Sequence, residues 1–110
     1  MCQIFASQSP KNYACQTRSV RLGGHVTSIR LEKAFWDNLE EIAGAQDMPL
    51  GKFLSALHDE VLELSGATGN FASLLRCACL TYVGEVRGRP EIEDSLRQEA
   101  ESRPVAVAAE

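Results

Sequence analysis

One short stretch of the chain, residues 26–31, combines hydrogen-bonding and apolar side chains in a pattern of period two. In an extended strand, alternate side chains point to opposite faces. One face carries Thr27, Ile29 and Leu31, and the other carries Val26, Ser28 and Arg30. The first face suits a hydrophobic core, and the second presents a hydroxyl and a guanidinium that can donate hydrogen bonds. The pattern therefore predicts a strand with one face for a core and one face for a partner.

The other reactive side chains do not form a pattern typical of catalysis or metal binding. No nucleophile, base and orienting acid are suggestively spaced, and no glycine-rich phosphate loop is present. The four cysteines lack zinc-ligand spacing and are Cys2, Cys15, Cys77 and Cys79. We therefore expect no enzymatic activity, no metal and no cofactor. Cys77 and Cys79 are expected to be small apolar helix residues, with a redox switch as the alternative.

Two amphipathic helices are predicted directly after the strand, where the apolar repeat changes from two to 3.6. The first helix carries Phe35, Trp36, Leu39, Ile42 and Ala43 on one face. Residues 44–47 break the pattern, and Pro49 opens the second helix because proline is tolerated at a helix start. The second helix carries Leu50, Phe53, Leu54, Leu57, Val61 and Leu64. The predicted order is strand, helix, short turn, helix.

A lone six-residue strand leaves its backbone amides and carbonyls without partners. An antiparallel copy of the strand from a second subunit would satisfy them and would stack the two Ile29 faces together. The outer face would then present Ser28 and Arg30 twice, related by a two-fold axis. The strand therefore predicts a homodimer.

These residues resemble the ribbon-helix-helix DNA-binding proteins. The resemblance rests on TSIRLE at residues 27–32, FWDNLEEIA at 35–43 and MPLGKFL at 48–54, and it covers roughly residues 24–65. It implies a mostly α-helical fold with one short strand. It also implies an obligate homodimer whose intermolecular two-stranded antiparallel ribbon enters the major groove of DNA.

The resemblance also implies a set of site residues. The base-contacting residues would be Val26, Ser28 and Arg30, and Val26 departs from the polar residue usual in the family. The amides that open the second helix would bind a phosphate, at Leu50, Gly51 and Lys52. Pro49 stands where the family often has a serine or threonine. The dimer core would contain Ile29, Leu31, Trp36, Leu39 and Leu54.

Charge is distributed unevenly along this chain of net charge −4. Residues 1–31 contain four basic and no acidic residues, whereas residues 32–110 contain seven basic and all fifteen acidic residues. We interpret residues 1–23 as a mobile basic arm from which Arg18 and Arg21 reach DNA phosphates, with a terminus of no function as the alternative. An acidic body beside a basic segment remains compatible with DNA binding.

A third helix is predicted over residues 71–83, capped by Asn70 and carrying an apolar face at helical spacing. It completes a domain over residues 24–83. Residues 84–110 are expected to form a linker and a flexible acidic tail, with a marginal helix over residues 91–101.

Together these features predict a sequence-specific DNA-binding transcriptional regulator, a repressor or autoregulator. The expected partners are duplex DNA and a second copy of the chain, with pairing of dimers into tetramers as a further option. One alternative is an antitoxin-like or adaptor dimer that binds a partner protein through its C-terminal region, and another is a dimerisation module without DNA binding. No apolar run approaches the roughly 18 residues of a membrane span. We therefore expect no membrane partner and a cytoplasmic, nucleoid-associated protein.

Overall fold

The computed structural model describes residues 2–102 and shows a two-stranded sheet followed by four helices. A short helix α1 (Gln3–Ala6) and a 3-10 turn (Pro10–Tyr13) lead into β1 (Cys15–Leu22) and β2 (His25–Glu32). The helices that follow are α2 (Lys33–Ala45), α3 (Leu50–Ser65), α4 (Phe71–Thr81) and α5 (Pro90–Ser102). A π-helical turn, Tyr82–Val86, continues α4. The mostly helical fold and the predicted order of strand, helix and helix are confirmed.

The sheet is a hairpin within one chain, which differs from the predicted arm over residues 1–23. β1 pairs antiparallel with β2 along its whole length, from Cys15 opposite Glu32 to Leu22 opposite His25. The turn is made by Gly23 and Gly24, whose φ angles of 58° and 85° are the positive values that a tight two-residue hairpin turn requires.

Three contacts hold β1 and the residue before it in place and explain why this segment is not a free arm. The Trp36 indole Nε1 donates a hydrogen bond to the Gln16 carbonyl at 2.9 Å, and the Lys33 amide donates to the Ala14 carbonyl at 2.9 Å. Arg18 forms an ion pair with Glu40. β2 therefore has a partner strand in its own chain, so the expectation of one strand per chain is corrected to two. Among the described residues, the other edge of β2 is unpaired.

The core lies between the sheet and helices α2, α3 and α4. The buried side chains come from every one of these elements: Leu22, Ile29, Leu31, Trp36, Leu39, Ile42, Leu54, Phe71, Leu75 and Cys79. The third predicted helix is confirmed as α4, and the Asn70 side chain caps it by accepting a hydrogen bond from the Ser73 amide at 3.2 Å.

The C-terminal region is helical where a marginal helix is predicted. α5 buries none of its residues fully, and Arg97 Nε donates to the Ala45 carbonyl at 3.3 Å. The predicted tail over residues 103–110 lies outside the described residues. Within residues 2–102, no helix is both long enough and apolar enough to cross a bilayer.

Glu41 ties the π-helical turn to α2 through two partners. Its Oε2 accepts a hydrogen bond from the Tyr82 hydroxyl at 2.5 Å, and Arg87 donates to both of its carboxylate oxygens at 2.9 Å. The hydrogen bond from Tyr82 is the largest cause that lowers the pKa of Glu41 below its ordinary value of 4.5. The hydrogen bond from Arg87 is the next cause that lowers it. The carboxylate form of Glu41 is therefore the one that stabilises the fold.

Glu41→Gln is expected to lower the free energy of unfolding at pH 7 by about 1 kcal/mol or less, since solvent screens this half-exposed group. Because the pKa of Glu41 is lower in the folded protein than in the unfolded chain, its full contribution to stability is present at pH values above the unfolded-state pKa. It is lost as pH falls through the folded pKa. Denaturant unfolding at several pH values from 7 downward should show the difference between native protein and variant shrinking in acid. A difference that is constant with pH would contradict the assignment, and Tyr82→Phe separates the hydroxyl contribution.

The two neighbouring cysteines of α4 lie in different environments. Cys79 is buried, its Sγ donates to the Phe35 carbonyl at 3.6 Å, and burial raises the pKa of its thiol to about 11. Cys77 is exposed. The prediction of small apolar helix residues therefore fits the environment of Cys79 but not that of Cys77.

Iodoacetamide at pH 8 is expected to modify Cys77 in the folded protein, whereas Cys79 should react only after unfolding, because the thiolate is the nucleophile. Peptide mass mapping after timed labelling measures each site separately. Equal rates at the two sites in the folded protein would show that Cys79 is not held in the core.

Candidate nucleic-acid interface

The three predicted base-contacting residues lie together on the solvent side of the hairpin. Val26, Ser28 and Arg30 are all exposed, and Val26 retains 64% of its surface. Ile29 and Leu31, which alternate with them, are buried against the helices. The expected alternation in burial is therefore present from Ser28 to Leu31, whereas Thr27, which was expected on the core face, is exposed.

The first strand widens this surface. Residues directly opposite each other in antiparallel strands share a face of the sheet. The register places Thr17 opposite Arg30, Ser19 opposite Ser28, and Arg21 opposite Val26. We define the outer face as Thr17, Ser19, Arg21, Val26, Ser28 and Arg30. It combines three hydroxyls and two guanidinium groups, and none of its six side chains is acidic.

By the same alternation, Glu32 and the opposite Cys15 continue this face at the end of β2, and the charge of Glu32 is matched by a basic residue of α4. Arg76 Nε of α4 donates to Glu32 Oε1 at 3.0 Å. A backbone hydrogen bond is the first cause that lowers the pKa of Glu32, the Arg76 hydrogen bond is the second, and the charge of Arg30 adds to them. The ionised Glu32 is therefore bound to α4.

The two arginines predicted to contact phosphates from a mobile arm, Arg18 and Arg21, lie on opposite faces of the hairpin. Arg21 lies on the outer face, where its Nη1 donates to the Gly24 carbonyl at 3.3 Å. Arg18 is opposite Ile29 and therefore faces the helices. Its Nη1 lies 3.0 Å from Glu40 Oε2, and its guanidinium lies 4.7 Å from the centre of the Trp36 ring. Arg18 holds β1 to α2 and is not brought to the outer face.

The start of α3 has the chemistry of an anion site. Pro49 occupies the N-cap position, no side chain caps the helix, and its first turn contains no acid. Gly51 and Lys52 are exposed, whereas Leu50 packs partly against the core. A helix N-terminus carries a partial positive charge that favours anions. Arg21 of β1 and Gly51 and Lys52 of α3 line the same large groove.

The residues predicted for a dimer core are buried inside a single chain. Leu31, Trp36, Leu39 and Leu54 have no exposed surface, and Ile29 retains 6%. A side chain without exposed surface has none to bury against a second copy, so these residues form the core of the subunit. Larger apolar surface remains exposed at Val26, Leu62, Leu64, Leu80 and Val83.

A groove runs beside the unpaired edge of β2. One wall is formed by β2 and the other by the end of α3 and the start of α4, including Leu62 and Phe71. His58 lies there with its ring 5.2 Å from that of Phe71 in an edge-to-face arrangement. Among residues 2–102, the buried His58 Nδ1 has no hydrogen-bond partner.

Sequence reasoning missed Thr17 and Ser19 of the outer face. A signal was present, because the Gly23-Gly24 pair is flanked on both sides by alternating residues, as in hairpins. It was obscured because Gln16 and Arg18 place polar groups where the inner face of a strand is usually apolar.

The sheet followed by two helices, with an outward polar face, defines a ribbon-helix-helix protein. The ribbon-helix-helix domain family matches residues 15–83, which contain β1, β2, α2, α3 and α4. The chain belongs to this family, whose members are generally DNA-binding regulators or antitoxins.

A solved structure of an uncharacterized protein from Bordetella pertussis Tohama I is similar to the chain. The two have a TM-score of 0.79 and 36% sequence identity, and the similarity covers 100% of this chain and 93% of that chain. The likeness therefore extends beyond the family match to the C-terminal helix. No protein with a curated description matches the chain.

Proposed function

We propose that the chain is a homodimeric, sequence-specific DNA-binding protein that regulates transcription as a repressor or autoregulator. The observation that carries the proposal is the outer face, which holds two arginines, three hydroxyls and no acid on a chain of net charge −4. Side chains of these types bind phosphates and base edges. The proposed location is the cytoplasm, at the nucleoid.

The unpaired edge of β2 supports a dimer. An exposed edge strand presents unpaired backbone amides and carbonyls and is a template for pairing with another chain. An antiparallel copy of β2 laid along this edge would enter the groove between β2 and the start of α4. The product is a four-stranded sheet in the order β1, β2, β2 of the partner and β1 of the partner. Both outer faces then form one surface about a two-fold axis.

On DNA, the central pair of β2 strands would enter the major groove. Arg30 would bind guanine through two hydrogen bonds, Ser28 would bond a base or a phosphate, and Val26 would contact a thymine methyl group. The amides of Leu50, Gly51 and Lys52 would bind a phosphate at each side of the site. Binding at a promoter would then block access to it, and dimers could pair into tetramers on longer sites.

Selection from random duplex DNA at two salt concentrations tests the proposal. The retained sequences should contain a two-fold symmetric motif, and retention should fall as salt rises because phosphate contacts release counterions. Sedimentation at micromolar concentration should show a dimer. A monomer in sedimentation, or no retention of DNA at low salt, would contradict the proposed function. Retention of DNA without a shared motif would show that the protein binds DNA nonspecifically.

A second candidate, an antitoxin-like or adaptor dimer, is favoured by the loose packing of α5. This helix buries no residue fully, while Ile92 and Leu96 are half-buried on one side of it. Such a helix could leave the body and bind a partner protein, and this role is compatible with DNA binding. Truncation after residue 89 should leave DNA selection unchanged, whereas a change in the selected motif would place α5 in the DNA-binding unit.

A further inference from the structure

The flanking β1 strands limit how the sheet can meet DNA, and this inference rests on the proposed dimer and its function. Neighbouring strands lie about 4.8 Å apart, so the outermost strand axes of a four-stranded sheet are about 14 Å apart. The major groove is about 12 Å wide and admits a two-stranded ribbon. The central β2 strands therefore fit into the groove, whereas the β1 strands come to lie over its two walls.

Release of β1 from the sheet would avoid this conflict, but the structure opposes release. The strand is hydrogen-bonded to β2 over the full register. Its Gln16 carbonyl accepts from the buried Trp36 indole, Arg18 is paired with Glu40, and Leu22 is buried in the core. Peeling β1 away would break all of these interactions and would expose apolar surface. We therefore keep β1 in the DNA-bound sheet.

The walls of the groove are the sugar-phosphate backbones, and β1 carries side chains suited to them. We propose that Thr17, Ser19 and Arg21 bind backbone phosphates on both sides of the groove that Arg30 and Ser28 read. Hydroxyl and guanidinium groups are common donors to phosphate. β1 carries two basic and no acidic side chains, and its Thr17, Ser19 and Arg21 lie directly opposite Arg30, Ser28 and Val26 of β2. In this arrangement β2 contacts the bases and β1 contacts the phosphates.

Arg21→Ala tests this division. A phosphate contact carries no sequence information, so the variant should bind its selected site and random DNA more weakly by the same factor. Loss of one contact per subunit should make the slope of log affinity against log salt less negative by about 2. Between 50 and 200 mM salt, the affinity of the variant should therefore fall by about tenfold less than that of the native protein. Ser19→Glu should weaken binding in the same uniform way, because it places a carboxylate against the backbone.

Arg89→Ala is the matched control, because it removes the same charge from an exposed residue outside the sheet. It should leave affinity and salt slope nearly unchanged, and circular dichroism and thermal unfolding should show that all variants fold. If Arg21→Ala and Ser19→Glu both match Arg89→Ala while the native protein selects a symmetric motif, the flanking contacts are wrong and the DNA-binding function stands. If the native protein retains no DNA, the function fails and this inference falls with it.

Discussion

Trp36→Ala is expected to lower the free energy of unfolding by roughly 3–5 kcal/mol, the range for removing a buried aromatic side chain. Trp36 has no exposed surface, and its ring packs beneath the Arg18 guanidinium. Its indole Nε1 also satisfies the Gln16 carbonyl of β1. The substitution therefore leaves a cavity in the core and removes an anchor of β1. Denaturant unfolding measures the loss, and hydrogen exchange should be faster at the β1 and β2 amides.

Trp36→Phe separates the two causes, because it keeps most of the ring and removes the indole donor. It is expected to cost about 0.5–1.5 kcal/mol, the net contribution of a typical hydrogen bond, because Gln16 is exposed and water can replace the lost donor. Leu75→Ala is the matched core control, since Leu75 is fully buried on α4. Both variants should be less stable, but only Trp36→Phe should accelerate exchange in β1 more than in α4. If Trp36→Phe leaves stability and exchange in β1 unchanged, the indole does not anchor the strand.

Arg30→Ala is expected to lose most of the discrimination between the selected DNA site and random DNA, with Ser28 and Val26 keeping the rest, while a weaker nonspecific affinity remains. A bidentate contact from arginine to guanine is worth roughly 1–3 kcal/mol of discrimination, and a dimer makes it twice. Arg30 is exposed beside Ser28 and Thr17, so its removal leaves the core intact. Titration of the native protein and the variant against the selected site and a scrambled site at fixed salt gives, for each protein, the ratio of its two affinities.

Arg30→Lys sharpens this experiment, because it keeps the charge and removes the planar fork of donors. It should preserve much of the salt slope and lose part of the discrimination. Arg89→Ala again serves as the control for charge alone. Equal discrimination by native protein and Arg30→Ala would show that Arg30 does not read bases, and the proposed reading by the β2 ribbon would then be wrong.

Much of the fold followed from short-range pattern. The change of period after Leu31 located α2, Pro49 located the start of α3, and Asn70 located the start of α4. These predictions succeeded because each helix buries a continuous apolar stripe, which the 3.6-residue repeat records directly. The hairpin partner of β2 was missed because the inner face of β1 is half polar. The Gln16 carbonyl accepts a hydrogen bond from Trp36, and Arg18 pairs with Glu40. A local sequence pattern does not predict such distant partners.

The candidate site divides in the same way. Period-two alternation was sufficient to place Val26, Ser28 and Arg30 on one outward face, and the start of α3 was predictable from Pro49 and its family resemblance. The separation of Arg18 from Arg21 was not predictable. Both are arginines in the same basic segment, and only strand register decides that Arg21 faces solvent while Arg18 faces Glu40.

The sequence by itself determined the helices α2, α3 and α4, the strand β2 and the charge asymmetry, because these depend on residue type and spacing along the chain. Only the tertiary structure decided that residues 15–22 form a strand, that the predicted dimer-core residues fill a single subunit, and that one edge of β2 stays unpaired among the described residues. These features depend on contacts between residues distant in sequence, such as Trp36 with Gln16 and Arg76 with Glu32. Local periodicity carries no information about such pairs, so they are identified only in the tertiary structure.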